Sequence, residues 1–381
     1  MINDIFSLFN LRDSKEHLYL SCPRYAYAIY KDKKINLLTH KKTQGGFTFL
    51  NEKLKTIKVN SEVHDAKVFH LYYELGFLYE NLDSIDSSTL LAIIIEYNKS
   101  EKKIIQQRDT IQLSIKEGIT LKEYSSKFNL VQRELNSGNC YQLNLTKIFK
   151  FSFKNLKAQN FINSLFSKKD LSAFAHATYI GSLDSLILSN SPECLFTIKG
   201  DEIATMPIKG TANQDKLSWE KLKASKKDEG ELFMITDLMR NDLTRIALTP
   251  SKVRIKKAKL KVPKIWHQHS LISTKLPNGT NLYNIVSKIF PGGSITGAPK
   301  KNAMKLLSSI EKQDRGIYCG STILMHKSLK AASINIRTAQ IDFKTGILSY
   351  GSGGGVTLLS ETNSEYEEML LKLESFLSIL N

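Results

Sequence analysis

The chain has 381 residues, a formal charge of +17, 41% hydrophobic residues and 24% charged residues. This is an ordinary globular composition with ample surface for a real core. Of its 54 basic residues, 45 are Lys, dispersed along the chain, and 9 are Arg. Arginine is the residue that bidentate and stacked nucleic-acid contacts prefer, so no nucleic-acid partner is expected, and a basic RNA-binding module stands only as the alternative of a different class.

The opening, MINDIFSLFNLRDSKEH, has no basic segment followed by an apolar one, so no export signal is expected. Cys22, Cys140, Cys194 and Cys319 are scattered, which reads as reduced thiols in a cytoplasmic protein. Residues 1–115 carry short apolar runs and one predicted helix, Val68–Leu82, without any group that demands a chemical explanation. The longest apolar run, Leu90–Ile95, is far too short for a membrane span. Across 116–381, strand-like runs at Tyr141–Thr146, Leu183–Leu188 and Ala331–Ile336 alternate with amphipathic helices and glycine-rich turns. That texture predicts α+β architecture with large sheets. The chemistry is expected between Ser191 and Lys372.

Ser191-Pro192-Glu193 and Pro207-Ile208-Lys209-Gly210-Thr211 both sit at turns after β-like runs, where side chains can enter a cleft. Alone, they read equally as a surface acid and a solvated lysine. The sharper reading makes Lys209 a nucleophile and Glu193 a general acid. A free lysine is almost wholly charged near pH 7, so that role requires burial or a cationic neighbour.

Farther on, Asp228 and Glu231 share one helix face by their i, i+3 spacing, and Glu231 falls in line with Met234, Ile235 and Leu238. Glu365 and Glu368 repeat the spacing, one turn before Lys372. For this last helix a Ser364/Glu367 capping box is also expected. Four converging carboxylates would repel, and an oxygen-ligated Mg²⁺ would relieve that. Pro291–Lys300 nearly spells a phosphate loop, but Ala298 occupies the lysine position. It leads into a predicted helix, Lys301–Ile310. The Gly351–Val356 run reads as a glycine loop whose N–H groups cradle an anion. Tyr318 and Arg337 lie on strand-like runs, with Arg337 suited to clamp a carboxylate.

These motifs, in this order, resemble the chorismate-utilising enzymes: anthranilate synthase, aminodeoxychorismate synthase component I, and the isochorismate and salicylate synthases. The likeness covers about 119–378 and rests on SPECLF, PIKGT, KKDEGELFMITDLMRNDLTRI, PGGSITGAPKKNAMKLL, RGIYCGS, NIRTA, GSGGGV and SEYEEMLLK. It implies a sandwich of two large, mainly antiparallel sheets flanked by helices, completed by the N-terminal segment. It implies that Glu231 and Glu368 bind Mg²⁺ directly, with Asp228 and Glu365 acting through water. It places the ring carboxylate of chorismate on Gly353, Gly354, Gly355, Ser294 and Lys372, and the enolpyruvyl carboxylate on Tyr318 and Arg337.

PIKGT resembles the aminodeoxychorismate-forming members, since anthranilate synthases carry Ala in place of the lysine; anthranilate synthesis is the nearest alternative. Lys209 would attack C2 while Glu193 protonates the departing 4-hydroxyl. Ammonia from a separate glutamine amidotransferase subunit would then add at C4. Relatives that eliminate pyruvate carry His before a Leu-Val-Ser run, where this chain has Ser270 before Leu271-Ile272-Ser273. The usual Arg-Ala-Glu run is Glu229-Gly230-Glu231 here, and no tryptophan pocket is recognisable in the short N-terminal region.

Overall fold

Strands whose alternate residues face two different apolar cores dominate the chain, and their long pairings are antiparallel. A computed structural model describes residues 4–380 apart from 12, 13, 83, 84, 263 and 264. The strands form one connected ribbon with two arms. His17–Ile29 pairs with Ala92–Lys103 and, at its start, with Ile5–Asn10. One arm continues from Ala92–Lys103 through Val63–Leu71, Ser321–Lys327, Leu329–Ile334, Cys194–Lys199, Glu202–Met206 and Ile265–Lys275. The other runs from Ile5–Asn10 through Phe174–Ile180, Ser185–Ser191, Thr338–Asp342, Ile347–Val356 and Gln142–Ser152.

The arms face each other as two sheets. Val68, Ile93 and Leu324 of the first share a core with Ile5, Ile180 and Ile187 of the second. The buried His70 Nε2 spans the gap, 3.0 Å from Thr178 Oγ1. Helices cover the outer faces. Gly46–Lys55, Lys226–Thr244 and Leu282–Ile289 pack on the first sheet. Leu121–Asn136, Ala158–Phe166, Lys300–Glu311 and Thr362–Leu380 pack on the second. The fold is therefore α+β, a sandwich of mainly antiparallel sheets flanked by helices. Among the described residues no helix is long and apolar enough to cross a membrane.

Residues before 115 are woven into both sheets, Ile5–Asn10 beside Phe174–Ile180 and Val63–Leu71 beside Ser321–Lys327. The helix expected over Val68–Leu82 is mostly absent. Its first residues continue a strand to Leu71, and only Leu75–Tyr79 is α-helical. Val68 faces one core and Phe69 the other, so both strand faces are apolar, and such a run mimics a buried helix. The helix expected over Lys301–Ile310 forms at Lys300–Glu311. The final helix starts at Thr362, so Ser364 lies inside it and the expected capping box does not form.

Candidate active site

The strand Ile208–Asn213 bulges between Lys209 and Thr211, where Gly210 has φ 68°. A bulge re-aims the neighbouring side chain out of the ladder, and here that residue is Lys209. Glycine is required at 210, because a Cβ would lie 2.7 Å from Leu222 and 3.1 Å from Asp228 Oδ1. The Gly210 carbonyl accepts a hydrogen bond from His267 Nδ1 at 2.9 Å. A carbonyl only accepts, so the His267 proton sits on Nδ1. Burial pushes this imidazole down to about 4, helped by the positive charges of Arg337 and Lys372, so it is neutral at pH 7.

Glu193 is held by its backbone. Its N–H donates to Ser191 Oγ at 3.2 Å, its carbonyl accepts from Ile334 N at 3.0 Å, and Ser191 Oγ donates to Ile334 O at 2.6 Å. The side chain is 4% exposed, and Oε1 has no hydrogen-bond partner. Burial raises its pKa above the usual carboxyl range, while Ser294, Lys209 and Lys372 pull it back down. Ser294 sits in the short turn Gly293–Ile295 with its own Oγ buried and unpartnered. The serine faces the acid, yet no hydrogen bond of good geometry closes between them. Buried polar atoms are rarely left unpaired in folded proteins, and here two such atoms share one wall.

Gly351–Gly355 is not a loop. It continues the strand Ile347–Val356, with Gly353, Gly354 and Gly355 opposite Thr146, Leu145 and Asn144. Pairing with Thr338–Asp342 on the other edge stops at Tyr350, so that edge carries no described strand beyond it. The anion cradle expected of a loop is thus a sheet edge. Its glycines permit close approach: a Cβ on Gly351 would meet the Tyr318 ring at 2.0 Å, and one on Gly353 would meet Leu145 O at 2.2 Å. A Cβ on Gly355 would lie 2.2 Å from Gln142 Nε2 and 3.5 Å from Lys209 Nζ. Lys372 Nζ donates to Gly353 O at 2.9 Å and pairs with Glu368 at 2.8 Å. Arg337, at φ 50°, is half-buried, and its guanidinium makes no hydrogen bond or ion pair with a described residue.

Two acids approach the glycine strand and the lysine bulge from opposite helices. Asp228 lies against Gly210, and Glu365 Oε2 would be 3.3 Å from a Cβ on Gly354. Glu365 Oε1 also accepts from Ser360 Oγ at 2.7 Å. Glu231 borders the buried stripe of its helix, which runs through Leu232, Ile235, Met239 and Leu243 rather than Met234 and Leu238. Among the described residues no three acidic, His or Cys side chains form a ready-made metal group. The donors are of the right type for Mg²⁺, all oxygen and from few residues, but they are not preassembled.

Sequence reasoning missed Gln142 and His267. Gln142 is fully buried with both amide atoms unpartnered, beside Gly355 and Lys209 Nζ. A lone Gln in a strand carries no signal; only its neighbours make it conspicuous. Ser270 donates its backbone N–H to Pro207 O at 3.2 Å, beside the lysine motif, and its Oγ accepts from Thr236 Oγ1 at 2.9 Å, tying the Lys226–Thr244 helix to the sheet.

Comparison with known proteins identifies the family and the fold. The family of chorismate binding enzymes matches residues 33–378. Aminodeoxychorismate synthase component 1 of Escherichia coli is 31% identical over 350 residues, covering 81% of this chain and 75% of the relative. Its Salmonella typhimurium counterpart is 36% identical over 264 residues, covering 67% and 57%. The chain matches 60% of the length of the one from Klebsiella aerogenes, so it spans less than two thirds of these last two. The structure of anthranilate synthase component I from Streptococcus pneumoniae superposes with a TM-score of 0.80 at 19% identity, covering 97% of this chain and 93% of that one.

Proposed function

Because the chain belongs to the chorismate binding enzyme family, we propose that it aminates chorismate to 4-amino-4-deoxychorismate, using ammonia delivered by a glutamine amidotransferase subunit. One observation carries the reading. Lys209, of the Pro207–Thr211 motif, reaches the glycine strand close to Glu193, a buried carboxyl that favours its protonated form. Relatives named component 1 of aminodeoxychorismate synthase support the same chemistry and the need for a partner.

In this reading the substrate's ring carboxylate lies along Gly353–Gly355, within reach of Ser294 and Lys372. Arg337 and Tyr318 hold the enolpyruvyl carboxylate. The Lys209 amine forms a bond to C2, the ring double bond shifts, and the C4–O bond breaks as Glu193 gives its proton to the leaving hydroxyl. Ammonia then bonds to C4 and returns a proton to Glu193, the double bonds move back, and the C2–N bond breaks to free the Lys209 amine. The net change is ammonia in and water out. Neutral His267 and the Gln142 amide border Lys209 and can accept or donate hydrogen bonds as its charge changes.

Glu231 and Glu368 would hold Mg²⁺, with Asp228 and Glu365 acting through water. The ion would supply positive charge against the carboxylates gathered there. The test is mass spectrometry of chorismate incubated with the protein, Mg²⁺ and ammonium. A product of aminodeoxychorismate mass is expected; anthranilate, or unchanged chorismate, would overturn the reading.

A further inference from the structure

Behind the candidate site lies a buried guanidinium that touches no expected substrate position, yet it bonds to the serine turn and to the strand beside the glycines, while its own backbone leads into the tyrosine turn. The Arg315 side chain is 1% exposed and forks onto Glu311, itself 2% exposed. Nε donates to Glu311 Oε2 at 2.9 Å and Nη2 to Glu311 Oε1 at 2.7 Å. Nη1 donates to Ile295 O at 2.8 Å, Nη2 also to Asn144 O at 2.7 Å, and the group lies 4.5 Å from the Tyr73 ring centroid. Glu311 Oε1 in turn accepts from Thr146 N at 2.8 Å and Thr146 Oγ1 at 3.0 Å. Glu74, from the N-terminal segment, accepts the backbone N–H of Arg315 at 2.7 Å and of Gly316 at 3.2 Å.

Each of these backbone atoms stands next to a residue of the site. Ile295 follows Ser294. Asn144 and Thr146 lie opposite Gly355 and Gly353 in the ladder. Arg315 opens the turn that carries Tyr318, whose ring rests on Gly351. One planar, pre-organised fork therefore ties the serine turn and the strand paired with the glycines to the Arg315 backbone, three residues before Tyr318. A buried ion pair is not needed for stability as such, since apolar residues of similar volume often replace one without loss. What they cannot do is hold three separate backbone segments at fixed spacing.

We propose that Arg315, braced by Glu311 and Glu74, is a positioning residue that fixes the separation between the two carboxylate-holding walls. The inference rests on the reading that chorismate binds here. It makes the site selective for a dicarboxylate of one length, because each wall alone accepts a carboxylate but only the correct spacing accepts both. A displacement of about 1 Å is enough to cost roughly 10²-fold in rate.

The test compares wild-type protein with Arg315→Lys and with the double variant Arg315→Met/Glu311→Leu. Melting is followed by circular dichroism, and Kd values are measured for chorismate and for benzoate, which engages one wall only. Wild type that binds no chorismate would sink the functional reading itself. If wild type binds, the variants are expected to keep the fold and the benzoate Kd while losing about tenfold or more for chorismate, with kcat falling further. Equal losses for both ligands, no loss for either, or failure of both variants to fold would each make Arg315 a structural core residue and overturn the proposal.

Discussion

Replacing Arg337 by Met should damage substrate binding while sparing, or even improving, the ligand-free fold. The guanidinium is half-buried and makes no hydrogen bond or ion pair with a described residue, and burial lowers its pKa. A desolvated charge without a partner destabilises the state that contains it. Its backbone also has φ 50°, a left-handed conformation that costs a residue with a Cβ about 1–2 kcal/mol. Methionine and lysine keep the Cβ, so that strain cancels in the comparison. A hydrogen bond to a charged group contributes about 1.5–3 kcal/mol, so losing the clamp should raise the KM for chorismate by about 10²-fold. Arg337→Lys retains the charge but not the planar fork, and a rise of roughly tenfold is expected, since about half the clamp is lost. Steady-state kinetics and thermal melting of the ligand-free protein read both effects. A Met variant with unchanged KM and a melting temperature several degrees lower would show that Arg337 serves the fold.

Three further outcomes are expected. Lys209→Ala should cut aminodeoxychorismate formation by on the order of the 10²–10⁴-fold typical when one acid–base or nucleophilic group is lost, with chorismate binding little changed. With ammonia withheld, the wild type should show an added mass on the peptide containing Pro207–Thr211, and an active Ala variant with no such adduct would refute the nucleophile. Glu231→Gln or Glu368→Gln should abolish turnover and make chorismate binding insensitive to Mg²⁺; full activity in EDTA would refute the metal assignment. Burial raises Glu74 from 4.5 to about 7, aided by Asp314 and opposed by the backbone N–H groups of Arg315 and Gly316. The folded protein therefore holds this proton more tightly than the unfolded chain. The resulting stability is full below pH 4.5 and is lost as pH rises toward 7, at about 1.4 kcal/mol per pH unit. Denaturant melts at several pH values should show that slope in wild type and not in Glu74→Gln; parallel curves would contradict it.

Local chemistry fixed much of this protein before any tertiary contact was known. Pro299 ahead of an amphipathic run sets the start of the Lys300–Glu311 helix, and the i, i+3 acids mark two helix faces whatever they pack against. The Lys209-Gly210 step signals an unusual backbone because few residues but glycine tolerate φ 68°. What the sequence left open depends on atoms far away in the chain. Val68–Leu71 is a strand because Ala92–Lys103 and Ser321–Lys327 flank it on both edges, and an apolar run cannot announce its partners. The glycines of 351–355 are small because Tyr318, Leu145 and Gln142 press on them, which local pattern reads as slack. Gln142, Glu74 and Arg315 gain their meaning only from neighbours up to 242 residues distant. Polar side chains acquire a role when burial removes water and leaves them a single set of partners, and that is decided by the packed sheets.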